Sequence, residues 1–362
     1  MPSLLDLHAV DKRFGDKLVL NAVDLSVPRN ACVCVLGPSG SGKTTLLRVI
    51  AGFEQPDGGH LVLDGRRIDD VPAYRRNIGF VFQNFALFPH LSVEDNVGFG
   101  LEHRAATPMP AAERRDRVRA MIELVGLSGL ERRDIAQISG GQRQRVALAR
   151  TLVTEPSLVL LDEPLGALDA NLRTRMRDEL RLIRERLGVT FLHVTGSEAE
   201  ALAMGDTVVV LDAGTIAQVG DADAVYNRPC SPAVARFLNC YNIFAGRLEG
   251  EEFVGALGRF AARDARSAVP RRRAESAPAY AIRQDRIIVR PADAELAAGE
   301  AGIAAVFVAS EYAGASVLSF FRLDDGRVVD VEDHLSLRAP PVYAEKQRYR
   351  LVWKSRDALV FP

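Results

Sequence analysis

At 362 residues and 48% hydrophobic composition, the chain has room for two cored domains or for one large domain and an appendage. Its 46 Lys and Arg balance 47 Asp and Glu, which gives no basic excess to point at nucleic acid, and no apolar run approaches the roughly 18 residues that span a bilayer. The opening MPSLLDLHAV lacks the basic start and apolar core of a secretion signal, and the four cysteines (Cys32, Cys34, Cys230, Cys240) form no CxxC pair, so free thiols in a reducing cytosol are expected.

From residue 31 onward, short apolar runs alternate with helix-period stretches. ACVCVL (31–36), LVLL (158–161), TFLHV (190–194) and TVVVL (207–211) lack polar alternation, as strands covered on both faces of a mainly parallel sheet do. Directly after the first run comes GPSGSGKT (37–44), then TLLRVIAG, a short helix stopped by Gly52. This is the phosphate-loop pattern in its required strand–loop–helix setting. Its glycines let backbone N–H groups turn onto phosphates, and the helix adds the positive end of its dipole. The expected phosphate-binding residues are Gly37, Pro38, Ser39, Gly40, Ser41, Gly42, Lys43, Thr44 and Thr45. Lys43 is placed to reach the terminal phosphates, and the Thr44 hydroxyl to ligate Mg²⁺.

AAERRDRVRAMIELVGL (111–127) reads as a helix. In ISGGQRQRVALAR (138–150), Ser139 is a helix cap, Val146, Ala149 and Val153 share a face, and Gly140 and Gly141 leave the first amides open. Two anion-binding helix starts on one chain suggest that they meet across a dimer. LVLLDEP (158–164) carries Asp162 to a strand end, where a magnesium-bound water would sit, with Glu163 next in line to take a proton from an attacking water. A further helix has Leu172, Met176, Leu180, Ile183 and Leu187 on one stripe, with Asp169 or Asn171 as its cap and Gly188 as its stop. Beyond about residue 241, strand-like pieces separated by turns include a hairpin at Asp325-Gly326. RSAVPRRRAESAPAY (266–280) reads as a linker, with Arg271-Arg272-Arg273 a solvated run. The expected architecture is an α/β domain over 1–240 followed by a smaller all-β domain over 241–362.

With these residues in view, the chain resembles the ATPase subunit of an ABC transporter along its whole length. GPSGSGKT matches the Walker A loop, LVLLDEP the Walker B strand, and ISGGQ the signature motif, with Ile138 where leucine is usual. Phe14 matches the aromatic that stacks on adenine. Gln83 matches the glutamine that touches Mg²⁺ and opens the loop facing the membrane subunits, and Ala167-Leu168-Asp169 matches the loop that crosses the dimer. The resemblance implies a P-loop NTPase fold with a helical subdomain at 84–137 and an OB-like regulatory domain after it. It implies Glu163 as catalytic base, ATP as substrate, and Mg²⁺ held by Thr44, Gln83 and Asp162. Two copies would pack head to tail, each ATP lying between Walker A of one and Ser139, Gly140, Gly141 and Gln142 of the other, with Asp169 at the crossing. Two membrane-spanning permease subunits and, indirectly, a periplasmic solute-binding protein complete the implied importer, with this chain peripheral on the cytoplasmic face of the cell membrane. The phrasing leans towards polyamine and related small-cation importers, and no nucleic-acid partner is implied.

One position departs from the family. Its strand after the Walker B helix ends in Val-Thr-His-Asp, whereas here Val194-Thr195 is followed by Gly196 and Ser197. The histidine that contacts the γ-phosphate is therefore missing. His193 lies an odd number of residues away on a strand and faces the opposite side, into the packing of the sheet. Ser197 offers a hydroxyl but no charge. Two readings stay open: a working but slower ATPase, and an ATP-gated scaffold with little turnover.

Overall fold

The computed structural model describes residues 2–103, 109–166, 168–255, 258–262, 266–267, 278–336 and 342–362. The chain divides into two compact units, Met1–Ala222 and Asp223–Pro362.

In the first unit β1 (Ser3–Phe14) and β2 (Lys17–Pro28) form a long antiparallel pair, followed by β3 (Cys32–Leu36) and α1 (Lys43–Ala51). Then come β4 (Gly58–Leu63), β5 (Arg66–Arg67), β6 (Ile78–Val81), α2 (Val93–Glu102), α3 (Ala111–Leu124) and α4 (Gly140–Leu152). The unit closes with β7 (Leu158–Asp162), α5 (Ala170–Leu187), β8 (Thr190–Thr195), α6 (Glu198–Met204), β9 (Thr207–Asp212) and β10 (Thr215–Gly220).

The strands make two sheets. One has the order β2-β1-β4-β5, and the other β10-β9-β3-β8-β7-β6, parallel except where β10 joins β9. Every residue of β3, β7 and β8 is buried, as uninterrupted apolar runs require. Helix α1 lies in the core the two sheets share, where Leu46, Leu47 and Ile50 meet Leu5 and Leu7 of β1 and Val35 and Val194 of the parallel sheet. The strand ends at Leu36, Asp162 and Thr195 are thereby brought side by side.

Helix ends follow the sequence signals. Asp169 caps α5 by accepting from the Leu172 amide, and Gly188 ends it at φ 61, a conformation that favours glycine. Gly52 ends α1 the same way at φ 84. The α5 stripe is shorter than expected. Met176, Leu180 and Ile183 are buried, but Leu187, in the last turn, is 42% exposed. The antiparallel sheet of β1, β2, β4 and β5 was not anticipated, although β1 buries Leu5, Leu7 and Val10 between polar positions. Its bulged register breaks the strict alternation by which a strand is recognised.

The second unit begins with α7 (Ala222–Asn227), whose first residue closes the first unit, and α8 (Pro232–Phe237). The rest is strand: β11 (Tyr241–Glu249), β12 (Glu252–Gly255), β13 (Gly258–Ala261), β14 (Arg266–Ser267), β15 (Ala279–Arg283), β16 (Ile288–Pro291), β17 (Glu300–Tyr312), β18 (Ser316–Arg322), β19 (Val328–His334), β20 (Arg348–Lys354) and β21 (Leu359–Phe361). They form sheets of order β13-β12-β11-β15-β21-β14 and β16-β20-β17-β18-β19 around one core. The turn at Asp325-Gly326 joins β18 to β19 with Arg322 opposite Val328. Arg271, Arg272 and Arg273 lie outside the described residues.

Candidate functional site

The loop between β3 and α1 is shaped by close backbone approach. A Cβ on Gly37 would stand 2.1 Å from the Leu211 carbonyl oxygen. Gly42, at φ 103, passes so near β2 that a Cβ would lie 2.9 Å from Val19 O. Helix α1 starts on Gly42 with no side-chain cap. Its N-terminal amides are thus left for a ligand. Lys43, nearly buried, donates to Gly37 O at 2.8 Å and Pro38 O at 2.9 Å. Burial pulls its pKa below the usual lysine range, against the opposing charges of Glu163 and Asp162. The buried Ser41 Oγ has no hydrogen-bond partner among the described residues. A loop presenting amides, an ammonium and an unpaired hydroxyl is suited to an anion.

Asp162 ends β7 beside this loop, and its Oδ1 accepts from Thr44 Oγ1 at 3.1 Å. Burial pushes its pKa up, the Thr44 hydrogen bond opposes this, and the Glu163 charge adds to it. Among the described residues no group of three or more His, Cys, Asp or Glu could hold a metal. The pair of hard oxygen donors on Thr44 and Asp162 nevertheless fits Mg²⁺, which takes few carboxylates and keeps water and phosphate oxygens as its other ligands. Glu163, one residue on, sits at φ 46, a left-handed conformation disfavoured for any residue with a Cβ. Its carboxylate accepts from Gln83 Nε2, at 3.0 Å from Oε2.

Gly196 follows β8 beside Glu163. A Cβ there would meet only Glu163 Oε1, at 3.9 Å. The position therefore faces the Glu163 carboxylate and has room for a side chain. His193 is fully buried, with Nε2 3.7 Å from Glu200 Oε2, too far for a hydrogen bond. Glu200 also accepts from Thr195 Oγ1 at 2.8 Å and lies 3.6 Å from the Arg173 Nε. The Ser197 hydroxyl caps α6 by accepting from Glu200 N at 3.3 Å.

Helix α4 starts differently from α1. Ser139 Oγ accepts from the Gln142 amide, and Gln142 Oε1 accepts from the Ser139 amide at 2.8 Å. This capping box closes part of a helix start that the two glycines led one to expect open. Gly140 has nothing near it, whereas a Cβ on Gly141 would meet Leu172 at 3.0 Å, which seats the start of α4 on α5 next to its cap, Asp169. Leu168 is buried, and Ala167 lies outside the described residues. Phe14 is 46% exposed at the end of β1, with the Lys12 ammonium 5.3 Å from its ring centre.

The fold thus assembles the 37–45 loop, Asp162, Glu163, Gln83 and Gly196 into one place. Among the described residues, no hydrogen bond links Ser139–Gln142 or Phe14 to that place. The sequence reading missed the grip of Gln83 on Glu163, because the two are 80 residues apart. It also missed Arg150, which binds the backbone just after Gln83.

Residues 20–166 match the family described as ABC transporter, and 287–361 match the TOBE domain. Over 257 residues the chain is 43% identical to a spermidine/putrescine import ATP-binding protein of Clostridium novyi (strain NT), covering 71% of this chain and 73% of that one. It is 49% identical over 248 residues to an Fe(3+) ions import ATP-binding protein of Streptomyces avermitilis, covering 68% and 71%. Among solved structures, the dimeric ATP-binding cassette MJ0796 in a post-hydrolysis state bound to ADP and Pi superposes with TM-score 0.54 at 31% identity, covering 60% of this chain and 98% of that one.

Proposed function

The chain belongs to the ABC transporter family as an ATP-hydrolysing import subunit with a TOBE domain, and from that premise we propose that two copies close around ATP, with Glu163 driving water onto the terminal phosphate in the absence of an imidazole at position 196. Each nucleotide lies between the 37–45 loop of one copy and Ser139, Gly141 and Gln142 of the other. The lack, among the described residues, of any hydrogen bond between those two groups within one chain supports this, and so does the dimeric state of the cassette it resembles. Phe14 stacks on the base, and Asp169 lies at the crossing.

The observation that carries the reading is the pair of neighbours at the end of β7. Asp162 is held by Thr44, while the next carboxylate, that of Glu163 on its left-handed backbone, accepts from Gln83. Adjacent carboxylates on a strand end would otherwise share no common task. With one on the cation side and one on the water side, they take separate roles. When bound, Mg²⁺ supplies positive charge to the phosphates, and Thr44, Asp162 and Gln83 would hold it. Lys43 brings its ammonium to the terminal phosphates. Gln83 fixes the Glu163 carboxylate, which accepts the proton of the attacking water.

The missing imidazole removes one hydrogen bond to a charged group, about 1.5–3 kcal/mol, or roughly ten- to a hundredfold in rate. The open space beside Glu163 at Gly196 also supports the rival reading, an ATP-gated scaffold of little turnover. Turnover of the chain assembled with its membrane subunits separates the two. Activity clearly above a Glu163→Gln control favours the slow enzyme, and activity equal to it favours the scaffold. Gly196→His should match or exceed the parent. A fall would mean that the site is organised around the glycine.

Two membrane-spanning subunits and a periplasmic binding protein complete the assembly, with this chain on the cytoplasmic face. The solute class we assign is a small cation, after relatives named for spermidine/putrescine and Fe(3+) import.

A further inference from the structure

Helix α4 begins beside Ser139 and, a rise of roughly 16 Å later, brings Arg150 against the loop that follows Gln83. There Arg150 donates from Nη1 to Ala86 O at 2.7 Å and from Nη2 to Phe85 O at 2.9 Å. Its guanidinium also lies 5.4 Å from the centre of the Phe88 ring. Phe85 and Ala86 have φ 64 and 46, two consecutive non-glycine residues in the left-handed region. Such a pair persists only where its surroundings impose it. A planar fork reaching two successive carbonyls is one such imposition, and a lysine cannot reproduce it.

The strand entering the loop is tied to the same helix. Gly79 of β6 lies so close to α4 that a Cβ there would stand 2.4 Å from Thr151 Cγ2. Gln83 is therefore bracketed by contacts to two consecutive residues of α4, Thr151 before it and Arg150 after it. Asn96 of α2, fully buried, holds the far side of the loop through Phe88 N at 2.9 Å and Leu91 O at 3.2 Å. The contacts from α4 come from the helix that Ser139 caps.

We propose that Arg150 is a positioning residue that makes Gln83 travel with α4, so that the seating of Ser139 on a nucleotide and the aim of Gln83 at Glu163 form one movement. This rests on the roles given above to Ser139 and Gln83.

The test uses the full-length chain with ATP and Mg²⁺, comparing the parent, Arg150→Met, Arg150→Lys, Gln83→Ala and the Arg150→Met/Gln83→Ala double variant. Loss of the fork should lower kcat about tenfold while KM for ATP stays within about twofold, since the 37–45 loop is untouched. Arg150→Lys should recover part of that loss. The double variant should be no slower than Gln83→Ala alone, because Arg150 acts through Gln83. Amide exchange over residues 84–88 should rise about tenfold or more in Arg150→Met while protection in the middle of α4 is retained. Losses that multiply in the double variant, or unchanged exchange over 84–88, overturn the proposal. Parental kcat in Gln83→Ala would instead sink the role of Gln83, and the exchange measurement would still decide whether Arg150 holds the loop.

Discussion

The two units bury different kinds of side chain. In the first, the core is aliphatic: Val33, Val35, Leu160, Leu192, Val194 and Val209 fill strands covered on both faces. In the second, aliphatic residues share the core with seven aromatics, Phe244, Phe253, Phe260, Tyr280, Phe307, Phe321 and Trp353. Antiparallel strands with one face inward offer fewer core positions, so each must fill more volume. Their polar atoms differ too. The buried Trp353 Nε1 donates to Tyr280 Oη at 2.9 Å. In the first unit, the Ser41 Oγ and both ring nitrogens of His193 are buried without a hydrogen-bond partner among the described residues, and Glu163 holds a disfavoured backbone conformation. Unsatisfied and strained groups cost stability: Ser41 and Glu163 carry that cost at the 37–45 loop and the strand end beside it, His193 inside the packing of the sheet.

That contrast can be broken first at Gly37. Its Cβ would collide with a backbone oxygen that cannot give way, so Gly37→Ala should abolish ATP binding and destabilise the first unit by about 3 kcal/mol. Titration with a fluorescent ATP analogue and urea unfolding followed by circular dichroism would check it. Parental affinity would show that the loop tolerates what its packing forbids.

The second unit should respond to alkali instead. Burial pushes the Tyr280 pKa up to about 12, with the Trp353 hydrogen bond pulling the other way. Burial also raises Tyr226, to about 12, and Tyr241. A folded pKa above the unfolded value means that the unfolded chain loses the proton first. The stabilisation is therefore complete below pH 10 and drains away between pH 10 and about 12, on the order of 2–3 kcal/mol for Tyr280. Trp353 is the only tryptophan, so its fluorescence reports this unit, and a urea midpoint flat across that range would refute the claim.

The smallest effect concerns the capped start of α4. Ser139→Ala removes one half of the box and should cost about 1 kcal/mol, against no comparable loss at α1, which has no side chain to remove. It should also weaken ATP-dependent dimerisation, read by light scattering. If only stability falls, Ser139 is a cap and nothing more.

Much of the site was legible because its chemistry is local. A phosphate cradle needs a strand, a glycine turn and a helix in unbroken succession, and residues 31–52 spell that out. Asp162 and Glu163 could be read as a strand-end pair, and Asp169 and Gly188 as the two ends of a helix, for the same reason. The all-β character of the second unit followed from short runs and turns such as Asp325-Gly326. The first sheet was less visible, since β1 carries bulges that spoil its period.

By itself, then, the order of residues determined the phosphate loop, the helix caps, the fold class and the absence of an imidazole at 196, all set by neighbours a few positions apart. Only the tertiary structure decided which distant groups meet: Thr44 with Asp162 across 118 residues, Gln83 with Glu163 across 80, and Arg150 with the carbonyls of Phe85 and Ala86. Those meetings depend on which strands lie side by side and on which helix packs against them. Such choices are made by burial summed over the whole core, which no short stretch of sequence contains.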